Sequence, residues 1–145
     1  MNLRFASLIA LGIAMVGAIF MVFEDYLFSK NPVTIIIQFF SAALMIWARI
    51  TFGRRSFHAA ANASKGLLIT TGPYHWLRHP IYASLIYFFS ASIISYPVIE
   101  SIVTVIIICI ALLVRMFIEE KFLLATYSEY AEYSKTTKRI LPFVY

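Results

Sequence analysis

Residues 5–23 read FASLIALGIAMVGAIFMVF, 19 consecutive residues without a charge. At a rise of about 1.5 Å per residue the run makes a helix of about 28 Å, close to the ~30 Å hydrocarbon core of a bilayer. A cleaved leader and a retained membrane helix compete for this stretch. Arg4 supplies the positive start of a leader, but the apolar part exceeds the roughly 7–15 residues of a leader core, and no small-x-small cleavage site follows. The reading is a retained helix.

Three further segments repeat the pattern. Asn31 to Ala48 spans 18 residues and is entered through Pro32, Pro80 to Ile99 spans 20 with Pro97 interrupting it, and Ser101 to Ile118 spans 18 with one charge, Arg115. Each falls in the range of about 17–25 residues that crosses a bilayer, although the third is effectively short and ends near Tyr96. The expected fold is a single all-α, integral-membrane domain over 1–145. Four transmembrane helices lie at about 5–23, 32–50, 80–96 and 98–118, with a loop at 51–79 and a C-terminal amphipathic segment at 119–145. In that last segment Leu123, Tyr127, Tyr130 and Ser134 recur at helical spacing, as in a helix lying at the membrane interface.

Composition agrees. The 145 residues are 61% hydrophobic and 13% charged, with mean hydropathy +0.83. A soluble domain has about 45–50% apolar and about 25% charged residues. The net charge of +5 flanks the apolar runs and forms no continuous stripe, which argues against a nucleic-acid partner. Arg49, Arg54, Arg55, Lys65 and Arg78 surround the 51–79 loop, and Lys121, Lys135, Lys138 and Arg139 follow the last apolar run, whereas Glu24, Asp25 and Glu100 mark the opposite connections. Lys and Arg mark the cytoplasmic side, so both termini and the loop are expected there.

The chemistry concentrates at 72–82, GPYHWLRHPIY. Gly72-Pro73 is a turn signal. Pro80 suits the first position of a helix, where its missing N–H costs nothing. His79 then flanks that start, and Arg78 and His79 stand beside unpaired N–H groups and a positive dipole end, an arrangement suited to an anion. The third and fourth segments form an antiparallel hairpin, so Arg115, Glu119 and Glu120 come level with this start. Arg115 and Glu119, four residues apart, share a helical face. An arginine within an apolar run usually faces the bundle or a cavity, although it can also snorkel to headgroups. His79 alone could be structural, His75 could belong to the pocket or only to the turn, and His58 has no neighbouring partner. Cys109 is the only cysteine, so neither a disulfide framework nor a cysteine cluster for a metal exists. No HExxH and no i, i+4 His pair on one helix points to a metal, and no phosphate loop or Ser–His–Asp arrangement occurs. The cluster suits an organic cofactor of mixed charge, with acids for a cation and a helix start for a carboxylate.

GLLITTGPYHWLRHPIY (66–82) and, after the hairpin, EEKFLLATYSEYAEYSKTTKRILP (119–142) together resemble the isoprenylcysteine carboxyl methyltransferase family, which shares its core with phospholipid methyltransferases. The resemblance covers about residues 40–145 and leaves the first helix outside. It implies a membrane enzyme that uses S-adenosyl-L-methionine without a Rossmann fold. The cofactor would bind at the cytoplasmic helix ends under the C-terminal segment. By this resemblance Gly66, Leu67, Leu68, Ile69, Tyr74, His79, Pro80, Ile81, Tyr82 and Glu119 line the cofactor, with Arg78 and Glu120 beside them, and Arg115 takes the place of a substrate-binding arginine. Gly66 stands where relatives often carry His, and Tyr127-Ser128-Glu129-Tyr130 replaces a longer Phe-Gly-x-x-Tyr pattern.

The implied catalytic set is Arg115, Glu119 and His79. A carboxylate acceptor needs no base but must be held, which a guanidinium does with paired hydrogen bonds. An amine or thiol acceptor would want a base, from Glu119, Glu120 or His79. The expected partners are the bilayer and a lipophilic or prenylated substrate entering between helices. Carboxyl O-methylation leads, with phospholipid-amine N-methylation and thiol S-methylation as alternatives. A non-catalytic assembly or transport subunit and a nicotinamide-dependent membrane reductase are the readings from other classes.

Overall fold

A computed structural model of the chain describes residues 2–53 and 68–142. Its helices are α1 (Leu3–Phe23), α2 (Pro32–Phe52), α3 (Pro80–Ser95), α4 (Ile99–Thr126) and α5 (Tyr130–Thr136), with a 3₁₀ turn at Gly72–His75. Starts follow local chemistry. Asn2 Oδ1 accepts from Arg4 N at 3.1 Å, and Asn31 Oδ1 accepts from Val33 N at 2.9 Å just ahead of Pro32. These side chains satisfy N–H groups that a helix start leaves unpaired. α2 ends at Gly53, whose φ of +67° favours glycine. Pro80 opens α3, with His79 outside helical geometry at φ −128°.

α1, α2 and α4 are each long and apolar enough to cross a membrane, and α3 is a shorter apolar helix of 16 residues, about 24 Å long. Two differences from expectation concern the last third. α4 runs eight residues beyond the expected end at Ile118, reaching Thr126. Glu119, Glu120 and Lys121 end the apolar run, but all are good helix formers, and no glycine or proline intervenes. The amphipathic segment is also not one interfacial helix. It breaks at Tyr127, which is extended at φ −112° and ψ 115°, where Thr126, Tyr127 and Ser128 all have modest helix propensity. The short α5 then folds back over the bundle end.

α1 packs along α4, α2 along α3, and α3 against α4. The α1–α4 seam repeats every three and four residues. Ser7, Ala10, Ala14, Gly17 and Met21 face a row of buried α4 residues at Ser101, Val105, Ile108, Leu112 and Arg115. This is the knobs-into-holes spacing of antiparallel helices, with small residues allowing close approach. A Cβ on Gly17 would lie 2.7 Å from Ile108 Cγ1. Gly17→Val therefore forces the helices apart and is expected to destabilise the bundle by about 1–3 kcal/mol, read as a lower melting temperature in detergent.

At the far end a polar knot ties the α1–α2 connection to α3. Gln38 Nε2 donates to Leu27 O (2.8 Å), and its Oε1 accepts from Ser29 N (3.0 Å). Ser92 Oγ donates to Leu27 O (3.1 Å), and Thr34 and Ser95 share a 2.7 Å hydrogen bond. Buried backbone groups outside a helix are thereby satisfied, as an apolar environment demands. Between the two ends, a cavity of about 390 Å³ is lined by Ala18, Ile19 and Val22 of α1, by Ser41, Ala42 and Met45 of α2, by Ser84, Leu85, Phe88 and Phe89 of α3, and by Leu27.

Candidate active site at one end of the bundle

The start of α1, the end of α2, the start of α3 and the last third of α4 meet at one end. Tyr82, in the first turn of α3, is the centre. Its hydroxyl accepts from Arg115 Nε at 3.1 Å and lies within electrostatic reach of the Glu119 carboxylate, while its ring lies 5.7 Å from that of His79. Arg115 Nη1 donates to Ser7 O at 3.1 Å and Ser7 Oγ at 3.2 Å. Arg115 is 8% exposed and His79 4%. The guanidinium thus turns into the bundle and does not snorkel. Tyr74, buried in the 3₁₀ turn, has its phenol pKa pushed up by burial and by the Glu119 carboxylate. His79, Tyr82, Arg115, Glu119 and Tyr74 therefore form one cluster, with buried Pro80 and half-buried Ile81 at its edge.

Arg78 and Glu120 make a second group beside the first. Glu120 accepts from Arg78 Nε at 3.0 Å through Oε1 and from Arg139 Nε at 3.0 Å through Oε2. Arg78 Nη1 also donates to the carbonyls of Ser134 (2.6 Å) and Thr137 (2.7 Å). Backbone pairing continues the clamp: Arg78 N donates to Lys138 O (2.7 Å), Lys138 N to Trp76 O (3.1 Å) and His79 N to Arg139 O (3.1 Å). Tyr87 Oη donates to Ile140 O, and Tyr133 Oη donates to Tyr74 O. Residues 130–140 are thus laced over the start of α3. Arg78 and Glu120 spend their hydrogen bonds holding this cover.

Burial pushes the Tyr133 phenol up to about 12. An unfolded phenol titrates near pH ~10, so the folded chain holds this proton more tightly than the unfolded one. The stabilisation is fully present below about pH 10 and lost as pH climbs toward about 12. A melting-temperature profile is expected to fall over that window, and Tyr133→Phe to flatten the fall.

Leu68 and Ile69 are half-buried residues leading into the 3₁₀ turn, whereas Gly66, Leu67 and His58 lie outside the described residues. His75 is exposed and packs edge-on against Trp76, so it belongs to the turn. Among the described residues, no three His, Cys, Asp or Glu side chains gather as a metal site. Sequence reasoning missed Ser7. The signal was present as the polar end of a small-residue heptad in the first apolar run, but it acquires meaning only once α1 is laid antiparallel to α4.

A buried guanidinium, a carboxylate and a histidine thus gather under a cover at one end of apolar helices. The comparison with protein families makes this specific. The profile of the phospholipid methyltransferase family matches residues 32–130, more than half of the chain. The chain belongs to that family and is thereby a membrane methyltransferase. No curated protein and no solved structure matched it.

Proposed function

We propose that the chain transfers a methyl group from S-adenosyl-L-methionine to a lipophilic acceptor, by carboxyl O-methylation of an isoprenylcysteine-like or other lipid-soluble carboxylate. The carrying observation is Arg115, buried beside Glu119 and held by Tyr82 and Ser7. A fixed guanidinium suits an acceptor carboxylate, which it orients with paired hydrogen bonds. The cavity supports a lipid tail: Ser84 and Leu85 of its lining lie two and three residues after Tyr82 along α3, and about 390 Å³ is within the usual range of about 300–1,000 Å³ for ligand pockets.

The chain fits the methyl donor. Tyr130 is 2% exposed, its hydroxyl has no hydrogen-bond partner, and the charges of Glu120, Arg78 and Glu119 surround it. A buried, unsatisfied hydroxyl costs free energy unless a ligand completes it. His79 Nε2 is 3.5 Å from Glu120 Oε1, at the outer limit of a hydrogen bond. Tyr74, His79, Pro80, Ile81, Tyr82, Glu119 and Tyr130 would hold the donor, with Leu68 and Ile69 beside them. The donor supplies a sulfonium methyl group open to in-line attack. The residues' task is to align the acceptor and exclude water. The 130–140 cover serves the second purpose.

The family's description favours a second reading, N-methylation of a phospholipid amine. Glu119 or His79 would then accept the amine proton. Arg49, Arg78, Lys121, Lys135, Lys138 and Arg139 gather at the site end, which supports a cytoplasmic site with both termini on that side. The test is incubation of the chain in lipid vesicles with methyl-labelled donor and prenylcysteine, phospholipid and thiol acceptors. Label in prenylcysteine ester is the expected result. Label only in phospholipid would replace the first reading with the second.

A further inference from the structure

We infer that Ser7 is a positioning residue for the acceptor-binding guanidinium, so that α1, which lies outside the family match, completes the active site. The inference rests on the reading of Arg115 given above. An arginine on an apolar helix has a long, flexible stem, and its value for a planar acceptor lies in a fixed guanidinium plane. Three described hydrogen bonds set that plane. Nε is held by Tyr82 of α3 at 3.1 Å, and Nη1 by Ser7 O at 3.1 Å and Ser7 Oγ at 3.2 Å. The two anchors come from helices that both pack on α4. Turning the guanidinium about its Cζ–Nε bond would break the pair on Ser7. Ser7 is fully buried, at 0% exposure, and is the polar member of an otherwise apolar α1 face made of Ala10, Ala14 and Met21. Gly17 contributes as well, because its missing Cβ lets α1 approach Ile108 closely enough for the Ser7 backbone to reach α4.

A serine that only satisfies a buried charge and one that aims it differ in what they affect. The first acts on stability, the second on the acceptor step. Ser7→Ala keeps the carbonyl acceptor and suits the helix, and removes one of the three bonds. It is expected to lower kcat/KM for the acceptor about tenfold, the scale of one lost hydrogen bond to a charged group. S-adenosylhomocysteine affinity and melting temperature should stay at wild-type values. Ser7→Thr, which restores the hydroxyl, should recover transfer. Side-chain ¹⁵N spectra of the detergent-solubilised chain, with the Arg115 signal assigned through Arg115→Lys, should show guanidinium rotation slow in the wild type, faster in Ser7→Ala and slow again in Ser7→Thr. Wild-type transfer by Ser7→Ala, or a loss that follows the melting temperature and is not rescued by threonine, overturns the inference. Absence of transfer by the wild type to every acceptor counts against the methyltransferase reading instead. The rotation rates alone then decide the tether: equal rates in wild type and Ser7→Ala reject it.

Discussion

Arg115→Ala is expected to reduce methyl transfer by at least about 100-fold while leaving S-adenosylhomocysteine affinity within about threefold of wild type, on the scale of removing a charged partner from a dry site. The reason lies in how the cluster divides. Arg115 bonds Tyr82 and Ser7 on the bundle side, whereas the buried hydroxyl without a partner belongs to Tyr130, on the cover. On the proposed reading the guanidinium addresses the acceptor, and the groups under the cover address the donor. Calorimetric titration with S-adenosylhomocysteine beside a labelled-methyl assay separates the two. Joint collapse of binding and transfer would show that Arg115 also builds the donor pocket. Arg115→Lys is expected to remain nearly as impaired, because an ammonium is a point charge without the planar fork.

Glu120→Ala carries the largest expected structural effect. One carboxylate serves Arg78 and Arg139 at 3.0 Å each, with side-chain exposures of 8% and 31%, and is itself 11% exposed. Removing it leaves a buried guanidinium beside a second one with nothing between them. Truncating one member of a buried pair costs about 3–5 kcal/mol. Here the loss should fall on the cover, since Arg78 also holds the Ser134 and Thr137 carbonyls. Hydrogen exchange over 130–140 is expected to rise sharply and S-adenosylhomocysteine binding to be lost, while the α1–α4 seam stays protected. Protection of 130–140 at wild-type levels would mean that the backbone pairing at Leu77 and Lys138 holds the cover unaided.

Periodicity and length were enough to place the apolar helices, because a bilayer's thickness constrains both. Pro80 marks the start of α3 for a local reason, its missing N–H and fixed φ. What escaped the sequence was nonlocal. The end of α4 was read at Ile118 because apolarity stops there, yet helicity depends on propensity and continues to Thr126. Arg78 and Glu120 were recognised as chemically rich, but their hydrogen bonds to Ser134, Thr137 and Arg139 exist only once the C-terminal stretch folds back. His79, Arg115 and Glu119 were legible as a group because the hairpin forces their ends level, whereas Tyr82 entered only through the family resemblance. Ser7 was not, because nothing in one apolar run indicates which neighbour its small residues will face.

The shortness of α3 has a consequence for how a substrate is reached. Thr34 and Ser95 fix α2 and α3 level at the far end. α2 continues 18 residues from there to Phe52, while α3 returns only 15 to Pro80. α4 likewise runs 11 residues past Arg115. The start of α3 consequently lies about 4–5 Å short of the end of α2 at a helical rise of ~1.5 Å per residue. On the proposed reading, an amphiphilic acceptor would stay rooted in its leaflet while its polar tip meets the cluster at the α3 start, so transfer would not require hauling a hydrocarbon tail into water.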